Sequence, residues 1–278
     1  MIRPGEIQSI AAKLGLRDTQ IEKDYVIGWV LKGIAEQDIL KEQLIFKGGT
    51  ALRKIYFPDY RLSEDLDFTF GGDVLNTDEI KKQFDELIKW VYAESRITLN
   101  IQDETQHQTG NYNFYLAYTG PLGGKGENKS IKVDISSDEV LCNKPEQKDV
   151  SNEYSDLIDR YEISSYSLSE IISEKMRSLM QRTASRDLYD LWYMFEESGN
   201  NIEDYFFDFQ RKAKYKKLNH TQLVKVITVK EQIFKRQWKS QLTNQIKDIP
   251  DFDEVWRGLG KHWRRFEKFL NNSEPKKR

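Results

Sequence analysis

The sequence predicts an α+β protein: an N-terminal mixed sheet flanked by helices, then a helical, basic C-terminal lobe. Three observations carry this. Residues 65–70, 96–119 and 131–136 alternate apolar and polar side chains, the period of two that half-buried strands need. Residues 18–36, 76–92, 167–182 and much of 202–270 instead repeat their apolar residues at helical spacing. Charge then shifts along the chain. Residues 211–278 hold 19 Lys and Arg against 7 Asp and Glu, whereas the first 210 hold 24 against 38, so the overall charge of −2 hides a strong asymmetry. A basic lobe predicts a polyanionic partner; a lysine-rich solvated helical surface is the plainer alternative.

Composition narrows the class. No run of about 18 apolar residues exists, so no membrane helix is expected. The start, MIRPGEIQSI, lacks the apolar core of a signal peptide. Cys142 has no second cysteine to pair with, and His107, His220 and His262 lie far apart, which leaves a structural zinc site without ligands. A reducing cytoplasm, with no membrane partner, fits these features. An irregular, Pro-containing connection over 138–165 marks the lobe boundary, which predicts domains of residues 1–160 and 161–278.

Element by element, Pro4–Leu14 reads as a short helix with Pro near its start. Asp18 or Thr19 caps a longer helix to about Glu36, buried through Ile21, Tyr25, Val26, Trp29, Val30 and Ile34. Ile45 and Phe46 end a buried strand. Gly48 and Gly49 allow turn dihedrals and close approach of a ligand. Thr50 to Tyr56 has helical spacing, with Ala51, Leu52 and Ile55 on one side. In the next strand Leu66, Phe68 and Phe70 alternate with Asp65, Asp67 and Thr69, which puts Asp65 and Asp67 on one face. Gly71-Gly72-Asp73 is a turn, and Asn76 or Thr77 caps a helix to about Tyr92.

Strands follow in RITLNIQ and NYNFYLAYTG, separated by a polar turn at Thr109-Gly110. The glycine-rich loop at Gly123–Gly126 lacks the Gly-Lys-Ser/Thr ending of a phosphate loop and reads as a flexible hairpin. In IKVDISS, Lys132, Asp134 and Ser136 take the polar face. Ser167 or Ser169 caps a helix that packs inward through Leu168, Ile171, Ile172, Met176, Leu179 and Met180. Lys175 lies on its flank. The positions three and four away (Ile171, Ile172, Ser178, Leu179) offer it no carboxylate. Helices over about 202–213, 220–237 and 251–270 complete the lobe, with Gly258 and Gly260 as possible breaks. Phe206, Phe207, Phe209, Trp238, Trp256, Trp263 and Phe266 supply a second core, and NNSEPKKR reads as a disordered tail.

The chemistry concentrates in 45–70. Two carboxylates on one strand face repel each other unless a cation intervenes. A hard divalent ion with oxygen ligands, Mg²⁺ above all, would settle them and accept phosphate oxygens. A Gly-Gly-Thr turn opening a helix presents backbone N–H donors to a phosphate. A cradle followed about fifteen residues later by paired aspartates reads as nucleoside triphosphate chemistry. A glycine-rich turn beside a solvated acidic strand is the bland alternative.

The runs FKGGTALRK and RLSEDLDF resemble the signature of the AbiEii/AbiGii toxin family of nucleotidyltransferases, and more distantly the DNA polymerase β nucleotidyltransferase fold. Arg61, Ser63, Glu64, Asp65, Asp67 and Phe68 carry the likeness, and Lys23 and Asp24 match an IEKDY run typical of the family. The EK of 174–175 followed by RDLYDLW resembles its second signature. The resemblance implies a polymerase-β-type sheet, with a nucleotide held in the cleft between the lobes by Gly48, Gly49, Thr50 and Ser63. Mg²⁺ would lie on Asp65 and Asp67, with Asp134 as the third carboxylate from a neighbouring strand. Lys175 would neutralise charge on the leaving group and Asp187 would shape the site. Asp187 could equally cap the next helix. Arg182 and Arg186 could bind phosphate or satisfy those acids, and Asp190 is left without an assigned role. Ser63 could contact phosphate, or be a place where modification silences the enzyme. The implied activity is a toxin of a toxin–antitoxin or phage-defence pair that moves NMP from an NTP to RNA, such as the tRNA 3′ end, with a cognate antitoxin protein as partner. Transfer to a small molecule or a protein hydroxyl, and a non-catalytic nucleotide- or RNA-binding effector, are the rival readings.

Overall fold

The computed structural model describes residues 1–107, 110–124 and 129–273. The expected turn residue Thr109, the loop residue Gly126 and the tail from 274 onward therefore lie outside the described residues. Two compact units are present: Met1–Glu139 with Pro145–Tyr166, and Val140–Lys144 with Ser167–Arg278. Among the described residues no helix is long and apolar enough to cross a membrane.

The first unit opens with α1 (Pro4–Leu14), α2 (Asp18–Glu36) and α3 (Asp38–Gln43). Strand β1 (Leu44–Lys47) leads into α4 (Gly48–Ala51), which continues as a π-helical turn over Leu52–Tyr56. Then come β2 (Asp65–Phe70), α5 (Thr77–Ser95), β3 (Thr98–Gln106), β4 (Tyr112–Thr119), β5 (Ser130–Ser136), β6 (Glu146–Asp149) and β7 (Glu162–Ser165). All seven strands form one mixed sheet in the order β3-β4-β5-β2-β1-β7-β6. The β2–β5 and β1–β7 pairs are parallel and the others antiparallel.

Alternation decides the faces. Leu66 and Phe68 pair with Val133 and Ile135, and Phe114 pairs with Val133 on the other side, so one face of the β4–β5–β2 part of the sheet is apolar and buried. Helix α5 covers part of it; Phe84 meets Phe114 edge-on with ring centroids 4.9 Å apart. Asn76 caps α5 by accepting from the N–H groups of Asp78 and Glu79, as a first-turn asparagine should. Arg17, not Asp18 or Thr19, is the residue at the N-cap of α2.

Helix α2 is buried far beyond its apolar stripe, and its polar members explain the EKD triplet. Glu22 is fully buried, accepts from the Leu122 N–H and pairs with Lys129 at 2.8 Å. Lys23 pairs with Glu64 at 2.9 Å, immediately before β2. Asp24 takes Lys54 at 2.7 Å, Arg53 at 3.5 Å and the Tyr154 hydroxyl at 2.7 Å. Burial pushes the Asp24 carboxyl up, but Lys54 and Arg53 outweigh it and hold the group below the usual carboxylate range. The helix thus anchors both arms of the glycine-turn and aspartate-strand element.

The second unit is helical: α6 (Leu168–Gln181), α7 (Ser185–Trp192) with a π-helical turn over Tyr193–Glu197, α8 (Phe206–Tyr215), α9 (Leu223–Val229), α10 (Glu231–Leu242) and α11 (Phe252–Ser273). Ser167 caps α6 through the Glu170 N–H. The buried Glu170 carboxylate accepts from the N–H groups of Cys142 and Asn143 and pairs with Lys212 at 2.6 Å, which makes 140–144 part of this unit. Burial, with Glu170 nearby, pushes the Cys142 thiol up to about 11, so it is a protonated structural group at neutral pH.

Three expectations for this unit change. The helix expected over 220–237 is divided at Lys230. Phe207 is exposed rather than core. Gly258 and Gly260 do not break α11. A Cβ at Gly258 would stand 3.2 Å from the Trp192 indole nitrogen and 3.3 Å from Glu196, so that glycine permits close packing.

Candidate active site

In the first unit the site is built on the β1–α4 turn and the polar sheet face. Gly48 has φ +82, and a Cβ there would overlap the Asp67 carboxylate. Only glycine satisfies both conditions. Gly48→Ala is therefore expected to cost about 1–3 kcal/mol from the left-handed dihedral alone, and to move Asp67. A thermal melt and a transfer assay check this; an unchanged melting temperature with full activity would remove the requirement.

The side chains of Arg61 and Ser63 lie against Gly49, with Nη2 and Oγ 2.9 and 3.0 Å from where a Cβ would stand. Strand β2 begins at Asp65, so Ser63 precedes the strand, and it is buried. Thr50 hydroxyl donates to the Asp65 backbone oxygen at 2.5 Å. It ties α4 to β2, leaving its backbone N–H as what Thr50 offers a phosphate. The N-cap residue of α4, Lys47, makes no side-chain cap hydrogen bond.

On the sheet, Asp67 stands opposite Asp134 across the parallel β2–β5 pair, and Asp65 stands opposite Lys132. Residues directly paired point to the same face, so the three aspartates share one surface, as the alternation in both strands requires. All three are half-buried. Lys132, which the alternation puts on this face without a role, is its cation beside Asp134. Its Nζ donates to Asp134 Oδ2 at 2.5 Å. Burial works against its charge, yet the Asp134 hydrogen bond and the charges of Asp134 and Asp65 hold its pKa above the usual lysine value. The signal was present in KVD, since residues two apart on a strand share a face. Lys47, opposite Asp67 in β1, is a second missed cation; it reaches Glu139 at 3.9 Å and the Tyr166 ring at 5.7 Å.

The donor set suits a hard divalent ion: three carboxylates in adjacent register positions, with oxygen atoms only. Among the described residues, no three Asp, Glu, His or Cys side chains are already gathered as a metal cage. The contacts give a reason, since Asp134 is turned to Lys132 and Asp67 lies on Gly48.

The second unit holds the other signature. Lys175 is buried, with Nζ 2.5 Å from Asp190 and 3.1 Å from Asp187. The carboxylates missing three and four positions away on its own helix are supplied by α7. Asp187 also takes Arg182 Nε at 2.8 Å. Burial would raise the Asp187 carboxyl, but Lys175 and Arg182 pull it below the ordinary range. Asp187 is not the cap of α7; Ala184 occupies that place. Asp190, fully buried, is as closely engaged as Asp187.

The fold is similar to that of a nucleotidyltransferase toxin and of a second bacterial protein. MenT4, a nucleotidyltransferase toxin from Mycobacterium tuberculosis, superposes with TM-score 0.67 at 16% identity over 99% of this chain and 91% of that one. JHP933 from Helicobacter pylori superposes with TM-score 0.59 at 18% identity over 92% and 95%. A comparison with curated proteins gives no match. The sequence profile described as "Nucleotidyl transferase AbiEii toxin, Type IV TA system" matches residues 29–272, which takes in the glycine turn, all three aspartates and the Lys175 cluster. The chain belongs to the AbiEii family of nucleotidyltransferase toxins of type IV toxin–antitoxin systems.

Proposed function

We propose that this nucleotidyltransferase moves NMP from an NTP to an RNA acceptor, with the tRNA 3′ end as the favoured target and Mg²⁺ as the metal. The observation that carries the reading is the in-register placement of Asp67 and Asp134 beside the Gly48 turn. Asp65, Asp67 and Asp134 would hold the metal, which when bound supplies Lewis-acid stabilisation of the phosphoryl oxygens. The N–H groups of Gly48, Gly49 and Thr50 orient the triphosphate at the start of α4, with Ser63 beside Gly49. Asp134 accepts the proton of the acceptor hydroxyl as its oxygen attacks the α-phosphorus. The bond from that phosphorus to the β-phosphate oxygen breaks and pyrophosphate leaves. Lys175 offsets the developing charge, while Asp187 and Asp190 fix its ammonium.

Charge supports the RNA acceptor. Arg236, Lys239, Arg257, Arg264 and Lys268 are exposed on α10 and α11, a surface suited to phosphates in series. Transfer to a small molecule or a protein hydroxyl would not need it. In the type IV system an antitoxin is the second partner, here taken to be a protein.

Incubation with each labelled NTP, Mg²⁺ and total cellular RNA tests the proposal on one gel. Label on tRNA-sized RNA is expected. Label confined to protein or small molecules, or absent altogether, overturns the RNA reading.

A further inference from the structure

The polar face of the sheet carries its own cation. Lys132 sits directly opposite Asp65, two residues before Asp134 on the same strand, and donates to Asp134 Oδ2 at 2.5 Å. Tyr115 and Asn113 of β4 pair with Lys132 and Asp134 and close that side of the face with neutral groups. Asn113 in turn meets His107 at 2.7 Å. On the other side Lys47 stands opposite Asp67 and also reaches Glu139 at 3.9 Å and the Tyr166 ring at 5.7 Å.

Three like charges on adjacent strand positions need compensation even before substrate arrives. Lys132 supplies it, at the oxygen a metal would need. The charge of Lys132 and its hydrogen bond on Asp134 Oδ2 both oppose a divalent cation at the same carboxylate, so the two compete for it. We propose that Lys132 is a resident counter-ion of the carboxylate face, a positioning residue that competes with the divalent metal for Asp134. Its displacement is the step that gathers Asp134 with Asp65 and Asp67. The metal-free site is then held in a partly compensated, unassembled form. The freed ammonium would be available to the triphosphate that arrives with the metal. The inference rests on the reading of Asp65, Asp67 and Asp134 as the metal set.

Binding of Mn²⁺ alone to the full chain, without nucleotide, is the test, with free Mn²⁺ read by its paramagnetic resonance signal. Lys132→Met keeps the length of the side chain and removes its charge. It is expected to tighten Mn²⁺ binding roughly fivefold, the order of a partly exposed ion pair, and Lys132→Arg is expected to bind as the wild type does. Equal or weaker Mn²⁺ binding by Lys132→Met overturns the competition. Asp67→Asn in the wild-type background separates the two levels of argument. If it leaves Mn²⁺ binding unchanged, or if the wild type and Lys132→Met both bind none, the metal-set reading itself falls. If Asp67→Asn abolishes binding and Lys132→Met changes nothing, only the counter-ion inference falls. The melting temperature of each variant, read alongside, verifies that all are folded; both Lys132 and Asp134 are partly exposed, so no buried charge is orphaned.

Discussion

Asp67→Ala is expected to lower nucleotidyl transfer by about 10³-fold or more while leaving the chain folded. A metal acting on a phosphoryl oxygen contributes several kcal/mol to the transition state, and each 1.4 kcal/mol or so is a factor of ten. The side chain stands opposite Asp134 and against Gly48, at the one place where turn and sheet meet. Stability should change little, since Asp67 is half-buried on a face it shares with two other carboxylates. Label transferred per minute and a circular-dichroism melt give the two readings. A folded variant with more than about a tenth of the wild-type rate would take Asp67 out of the metal set.

Much of this site was legible because strand period is unforgiving. Asp65 and Asp67 had to share a face once Leu66 and Phe68 were assigned inward, and the same logic placed Asp134 between Val133 and Ile135. The glycine turn was legible for a related reason, since no other residue satisfies both a positive φ and a carboxylate at contact distance. Partner choice was not legible. Nothing local says that β2 pairs with β5, some sixty residues on, rather than with β3, and the Asp67–Asp134 register depends on that pairing. Long-range ion pairs failed in the same way. Asp24 and Lys54, 30 positions apart, look like unrelated surface charges until α2 is seen to be buried nearly all round. A helix-period argument found no partner for Lys175 because it searched one helix; the partners sit across the turn between α6 and α7. Gly258 was misread as a break because a helical glycine that admits an indole looks the same in sequence as one that ends a helix.

The Lys175 cluster yields the largest expected effect on stability. Lys175→Met takes from the buried Asp187 and Asp190 the ammonium they share, and removal of one partner from a buried pair costs about 3–5 kcal/mol. Loss of activity in that variant would therefore say nothing about chemistry. The informative change is Lys175→Met combined with Asp190→Asn, which removes one charge of each sign and leaves Arg182 to satisfy Asp187. Its melting temperature should recover most of the loss. If Lys175 neutralises charge on the leaving group, transfer stays low in this stabilised variant; if the ammonium only holds α6 to α7, transfer returns with stability. Acid gives an independent check. The folded-state pKa of Asp187 is depressed, so its contribution is present above the unfolded value near 3.8 and is lost as pH falls through the folded value. A wild-type melting temperature that declines below about pH 4 more steeply than that of Asp187→Asn is expected. Parallel curves would mean that the Lys175–Asp187–Arg182 pairing contributes nothing to the fold, and the case for the lysine as a positioned charge would lose its structural footing.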